Sequence, residues 1–190
     1  TALDQTLAAD LSGITTNAVT AAFDADGTFT GNLGTATTTV ADSVTMTAAY
    51  NVLNGKTVNH DGSESAQALV VTIASADAAA DLSNITSDIT NLTANFSETQ
   101  TFIGNLDSKT ASVANDITVT ATAADVTGDT IAAAGNGNIA VTALHSTLAA
   151  DLSGLSSSTG AVTAAFDGTG TFTGNLGTAT TTVADSVTMT

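Results

Sequence analysis

The chain has no cysteine, proline, tryptophan or arginine, and only two of its 190 residues are lysine. Each absence removes a class of explanation. Without Cys there is no disulfide framework and no thiolate metal site. Without a basic surface the chain cannot neutralise phosphates, which excludes nucleic acid as a partner. An anionic membrane surface repels it for the same reason. No apolar run approaches the roughly 20 residues of a membrane-spanning helix. The most apolar window, residues 66–80, is interrupted by Thr72, Ser75 and Asp77. The opening residues, Thr1-Ala-Leu-Asp-Gln5, carry none of the marks of a signal peptide. The expectation is a chain cut from a longer precursor, or a fragment.

What remains is small, neutral and acidic. Thr and Ala are by far the commonest residue types, so the core must be thin and built from small side chains. Sixteen Asp and two Glu give a net charge of −16, yet charged residues make up only 11% of the chain. An average domain has about 25%. Such a composition suits a stack of similar layers better than one large centre.

The sequence repeats on two scales. Ala-Ala-Asp-Leu-Ser occurs at residues 8–12, 79–83 and 149–153, and Thr-Phe-x-Gly-Asn-Leu at 28–33, 101–106 and 171–176. Residues 28–47 and 171–190 are identical. The long period is about 70 to 73 residues, and such fixed-period self-similarity marks a repeat architecture. Inside it, an apolar-Thr motif recurs at Val19, Val44, Val71, Leu92, Ile117, Val141, Val162 and Val187. It alternates with a second motif at Leu11, Phe29, Leu53, Leu82, Phe102, Val126, Leu152 and Phe172. The shorter unit is therefore about 24 residues, with three to each long repeat.

Segments such as Ser43-Val-Thr-Met-Thr read as short strands with one buried face. Gly and Asn between them supply corners. The predicted fold is all-β: a repeat β-solenoid, or parallel β-helix, with rungs of about 24 residues. Its copies are 1–70, 71–140 and a truncated 141–190, in one continuous solenoid. Eight rungs stacked at about 4.8 Å would form a rod of roughly 38 Å. The alternative is a row of tandem small β-sandwiches. The absence of Pro agrees with strands paired on both sides.

Together, Val-Thr-Ala, Leu-Ser-Gly, Phe-Thr-Gly-Asn-Leu and Ala-Ala-Asp-Val-Thr-Gly128 resemble the Ala/Thr/Asp/Gly-rich repeats of large secreted bacterial surface proteins. These include adhesins, surface-layer proteins and filament proteins. The resemblance implies a secreted or cell-surface location, self-association and calcium dependence. The Gly-Gly-x-Gly-x-Asp nonapeptide of RTX calcium repeats is absent.

Asp10, Asp81 and Asp151 recur in all three copies and are candidate Ca²⁺ ligands, since that hard cation takes carboxylate oxygens. Each could equally accept backbone N–H groups at a turn. Asp24 and Asp26 sit in a sequence like the start of a calcium loop, and Asp167 is the third-copy counterpart of Asp24. Calcium is the one cofactor expected. Asn32, Asn105 and Asn175, three rungs apart, are too distant to form a ladder and suit corner capping. Thr35–Thr39 and Thr178–Thr182 could present hydroxyl arrays, as ice-binding surfaces do, or line ordinary solvent-facing strands. Asn84, Asn91 and Asn95 begin Asn-x-Ser/Thr sequons for glycan attachment. His60 and His145 do not recur. No Ser-His-Asp or paired-carboxylate set stands out, and no enzyme is expected. The expected function is a structural segment of an extracellular repeat protein. It would self-assemble into a filament, sheath or surface layer, modulated by divalent cations. The alternatives are an adhesin stalk or binding module, and an ice-binding face.

Overall fold

A computed structural model describes residues 7–14, 19–62 and 66–190. The chain divides into two compact units: residues 1–72 with 81–94, and residues 73–80 with 95–190. Each is β-rich, and among the described residues the registered strand pairs are parallel. Antiparallel sandwiches, the alternative expected from sequence, do not pair this way. Among the described residues, no helix is long and apolar enough to cross a membrane.

The first unit holds β1 (Thr20–Phe23), β2 (Gly27–Phe29), β3 (Thr37–Val40), β4 (Thr45–Ala49), the single-turn helix α1 (Tyr50–Leu53) and β5 (Val58–His60). β6 (Ala68–Ile73) and β7 (Leu92–Phe96) are each divided between the units. The chain alternates between two sheets. β1, β3 and β5 pair in one, and β2, β4 and β6 pair in the other.

The second unit holds β8 (Gln100–Phe102), β9 (Thr110–Val113), β10 (Thr118–Thr122), α2 (Ala123–Val126), β11 (Ile131–Ala133), β12 (Asn138–Thr142), β13 (Leu155–Ser157), β14 (Val162–Phe166) and β15 (Thr180–Val183). Here β8, β10, β12, β14 and β15 form a five-stranded sheet, and β9, β11 and β13 pair beside one another.

Side chains alternate in and out of the core, as a two-residue period requires. β10 and β12 bury every second residue, and so does β14. Two buried columns run through the five-stranded sheet in register. Gln100, Val119, Ile139 and Val162 form one, and Phe102, Ala121, Val141 and Ala164 the other. Small residues suffice because each layer fills only its own thickness. The largest pieces are aromatic. All six phenylalanines of the chain pair edge to face: Phe23 with Phe29, Phe96 with Phe102, and Phe166 with Phe172. Centroid separations are 5.6, 5.1 and 5.4 Å, within the favourable range for such contacts.

Most ladder steps are shorter than the unit of about 24 residues expected from the motifs, although Ile131 faces Leu155. Thr20 faces Thr37, Gln100 faces Val119, and Ile139 faces Val162. Three layers carry the chain from Gln100 to Val162, whereas one full copy carries it from Phe102 to Phe172. A copy therefore outruns three layers by several residues. The effect is visible in strand placement. In the first unit, β1 and β3 lie in a different sheet from β2 and β4. In the second unit their counterparts, β14 and β15, share one sheet with the counterparts of β2 and β4, which are β8 and β10.

Candidate functional site

The recurring motifs meet at corners. Asn32 N–H donates to the Ala9 carbonyl at 2.9 Å, and Leu11 N–H returns a bond to the Asn32 carbonyl at 2.8 Å. In the third copy Asn175 donates to Ala150 at 2.8 Å and Leu152 to Asn175 at 2.7 Å. Asn105 donates likewise to Ala80 at 2.8 Å. The preceding glycine is required by this approach. A Cβ on Gly31, Gly104 or Gly174 would lie 2.0, 2.0 or 2.1 Å from the carbonyl oxygen of Ala9, Ala80 or Ala150. The co-occurrence of Ala-Ala-Asp with Gly-Asn-Leu thus has a steric cause.

The three recurring aspartates turn the chain. Asp10, Asp81 and Asp151 each accept the backbone N–H two residues on, from Ser12, Ser83 and Ser153, at 2.9, 3.1 and 3.0 Å. Hydrogen bonds from the Ser12 side chain and backbone hold Asp10 below the usual carboxylate range, and Ser153 does the same to Asp151. Asn32, Asn105 and Asn175 are exposed and cap corners in the same way. Their side-chain oxygens accept from Gly34, Asp107 and Gly177 at 2.9, 2.8 and 3.0 Å. A carboxylate and an amide therefore perform one task. The Asp-x-Ser spacing inside the repeated motif was the signal for it.

Asp26 accepts the Thr45 N–H at 2.7 Å. Its counterparts Thr99 and Thr169 accept from Thr118 and Thr188 through their hydroxyls, at 3.1 and 3.3 Å. That position needs an acceptor oxygen and not a charge, which explains its variation between copies. Asp167 meets Nδ1 of His145. Asp24 lies in the exposed turn after β1. Five of the six predicted calcium ligands are thus held in separate local contacts, and Asp24 is exposed. Among the described residues, no group of three His, Asp or Glu gathers as a metal centre.

A true side-chain ladder exists elsewhere, one layer per step. Asn115 accepts the Asn136 N–H at 2.9 Å through its side-chain oxygen, and Asn136 accepts from the Thr159 hydroxyl at 3.0 Å. Sequence reading missed it because these residues do not recur between copies.

Sequence reading also missed a Ser-His-Asp chain. Ser146 Oγ lies 3.0 Å from His145 Nε2, while Nδ1 meets Asp167. The neighbouring amides are occupied: Ser146 N–H donates to Ala143 at 3.0 Å and Thr147 N–H to Leu144 at 3.2 Å. They offer no oxyanion donors to a nucleophile at Ser146. His60 makes a comparable contact, with Nε2 3.5 Å from Asp88. Of the sequon residues, Asn84 and Asn91 are exposed, whereas Asn95 is half-buried and accepts from Ser112 Oγ at 3.1 Å. In β3, Thr37 and Thr39 face outward and Thr38 is buried.

Charge is segregated. Among the described residues, none of the fifteen strands contains an Asp, Glu or Lys. Every described acidic residue sits in a corner, turn or short helix. On the outward side of the five-stranded sheet, Thr101, Thr120, Ala140, Thr163 and Thr180 stand in one register column. Thr118 with Asn138, and Thr142, Ala165 and Thr182, flank it. This face is made of small, uncharged side chains.

No protein-family model matches the sequence, and no curated protein or solved structure matches it.

Proposed function

We propose that the chain is a structural segment of an extracellular repeat protein whose units coil as parallel β-solenoids. It self-assembles into a filament, sheath or surface layer. The alternation of successive strands between parallel sheets carries this reading, because coiling around a common core produces that order. Assembly is supported by the segregation of charge: the described strands carry no Asp, Glu or Lys, and the acidic residues collect at corners, where cations can screen them. Divalent cations act here by screening and bridging acidic corners, and no three-residue site is needed for that.

Electron microscopy with and without Ca²⁺ tests the proposal. Ordered polymers that form with Ca²⁺ and disperse with a chelator are expected. Monomeric particles in both conditions would overturn it.

A further inference from the structure

We infer that Ser146 is an acyl-acceptor site. It takes an acyl group covalently from a neutral activated ester, with His145 as the base and Asp167 as the group that orients the base. The modification is stoichiometric and independent of the assembly proposed above.

The contacts have the form of an activated nucleophile. Ser146 is exposed, and its Oγ lies 3.0 Å from His145 Nε2. Asp167 meets the other ring nitrogen, Nδ1. A carboxylate only accepts, so the proton of a neutral imidazole is drawn to Nδ1. Nε2 is left to receive the hydroxyl proton. A nucleophile on a base held by a third group is the arrangement that makes a serine reactive.

The corner departs from its counterpart in a way that favours this role. Aligned on the shared Ala-Ala-Asp and on the paired phenylalanines, His145 stands where the second copy has Ser75, and Gly168 where it has Glu98. In the second copy Ser75 donates from its N–H, at 3.0 Å, and from its Oγ to the Glu98 carboxylate. Tying this corner to the next turn therefore needs no imidazole. In the third copy the glycine admits the ring: a Cβ on Gly168 would lie 2.7 Å from its Cγ and Cδ2. The turn Leu144–Ser146, which carries both His145 and Ser146, follows Ala143 at φ 56° and ψ 33°. That left-handed conformation is unfavourable for any residue with a Cβ, and the counterpart Ile73 lies within β6. Such strain persists only where the surroundings impose it, and it collects at reactive sites.

The step transfers one acyl group. Ser146 Oγ attacks the ester carbonyl carbon while its proton passes to Nε2. The bond from that carbon to the leaving oxygen then breaks, and the leaving group departs with the electron pair and the imidazolium proton. The surroundings select the donor. The Ser146 and Thr147 amides are occupied, so they do not stabilise the intermediate, and only a weakly basic leaving group departs readily. The Ser146 alkoxide is itself a poor leaving group, so the acyl-serine persists. The net charge of −16 disfavours anionic donors such as acyl phosphates.

The full chain is treated with para-nitrophenyl acetate, while nitrophenolate release and the mass of the segment holding Ser146 are followed. One acetyl group on Ser146, with no continued release, is expected. Ser146→Ala should abolish labelling of that segment. His145→Gln, and Gly168→Ala, which displaces the ring, should each slow it by at least about tenfold. Asp167→Asn should slow it too, and Asp167→Glu should restore it, since a carboxylate again orients the imidazole. Circular dichroism checks that the variants fold; should His145→Gln not, Gly168→Ala tests the base. Acetyl groups on Lys56, Lys109 or the terminal amine but not on Ser146 would overturn the inference. So would labelling of Ser146 that is unchanged in the folded base variants. Continued release that is lost in Ser146→Ala would make the site catalytic and overturn its stoichiometric character. None of these outcomes touches the assembly proposal.

Discussion

Thr38 and Thr181 occupy the same place in two identical stretches, yet their surroundings differ. Thr38 is fully buried and its hydroxyl has no hydrogen-bond partner. Thr181 lies in the exposed edge strand. An unpaired buried hydroxyl costs about 1–3 kcal/mol, and valine keeps nearly the same shape without it. Thr38→Val should therefore raise stability by about 1 kcal/mol, whereas Thr181→Val should change it by under about 0.5 kcal/mol. Chemical denaturation of the two variants checks this. Residue roles were the least legible level in the sequence. Asp10 could be a ligand or a turn former on the sequence alone, because both roles use the same two oxygens. The Ser12 amide, two residues on, resolves its local role.

At the scale of the element, the corner explains which residues are fixed. Gly104 lies where a Cβ would meet the Ala80 carbonyl oxygen at 2.0 Å. Three residues later Asp107 has a φ of 52°, in a place where copies 1 and 3 have Gly34 and Gly177 at 57° and 58°. The same corner should thus respond in opposite directions. Gly104→Ala should destabilise by about 3 kcal/mol, since backbone must move, while Asp107→Gly should stabilise by about 1 kcal/mol by relieving the left-handed conformation. Thermal unfolding measures both. The strands were legible because burial follows alternation, as in the Thr-Val-Thr-Ala-Thr of β10. The phase was not. Motif counting makes three rungs of about 24 residues per copy, but the turns between strands differ in length. Only pairing partners reveal that three layers above Gln100 the chain has reached no further than Val162.

For the whole molecule, acid sensitivity follows from where the carboxylates are. Asp10, Asp151 and Glu98 are held below their ordinary values, chiefly by the side chains of Ser12, Ser153 and Ser75. A folded-state pKa below the unfolded one stabilises above the unfolded value and is lost as pH falls through the folded value. Asp129, pushed up by burial, acts in the opposite sense: its contribution is present at low pH and lost as pH rises through its folded value. Three groups oppose one, so the melting temperature should fall as pH drops below about 4. Calorimetry across pH would show this limb. The combined Asp10→Asn, Asp151→Asn and Glu98→Gln variant should flatten it at the cost of the stability the ionised carboxylates add at neutral pH, while an amide oxygen can still accept the Ser12 and Ser153 N–H groups as Asn32 accepts that of Gly34. An unaltered acid limb would refute the assignment. The net charge of −16 announced an acidic surface but not its arrangement, since strand and corner residues interleave along the chain. Parallel pairing collects the neutral ones into sheets.

The identity of two stretches of the chain also affects how the protein must be observed. Residues 28–47 and 171–190 yield peptides of the same mass and composition. One copy contains β3, with pairing partners on both sides, and the other contains the exposed β15. In deuterium labelling followed by digestion, the two would superimpose as one peptide with two uptake populations. Such an envelope normally signals slow cooperative opening. Here it would record two places in one static fold, with identical chemistry and different neighbours.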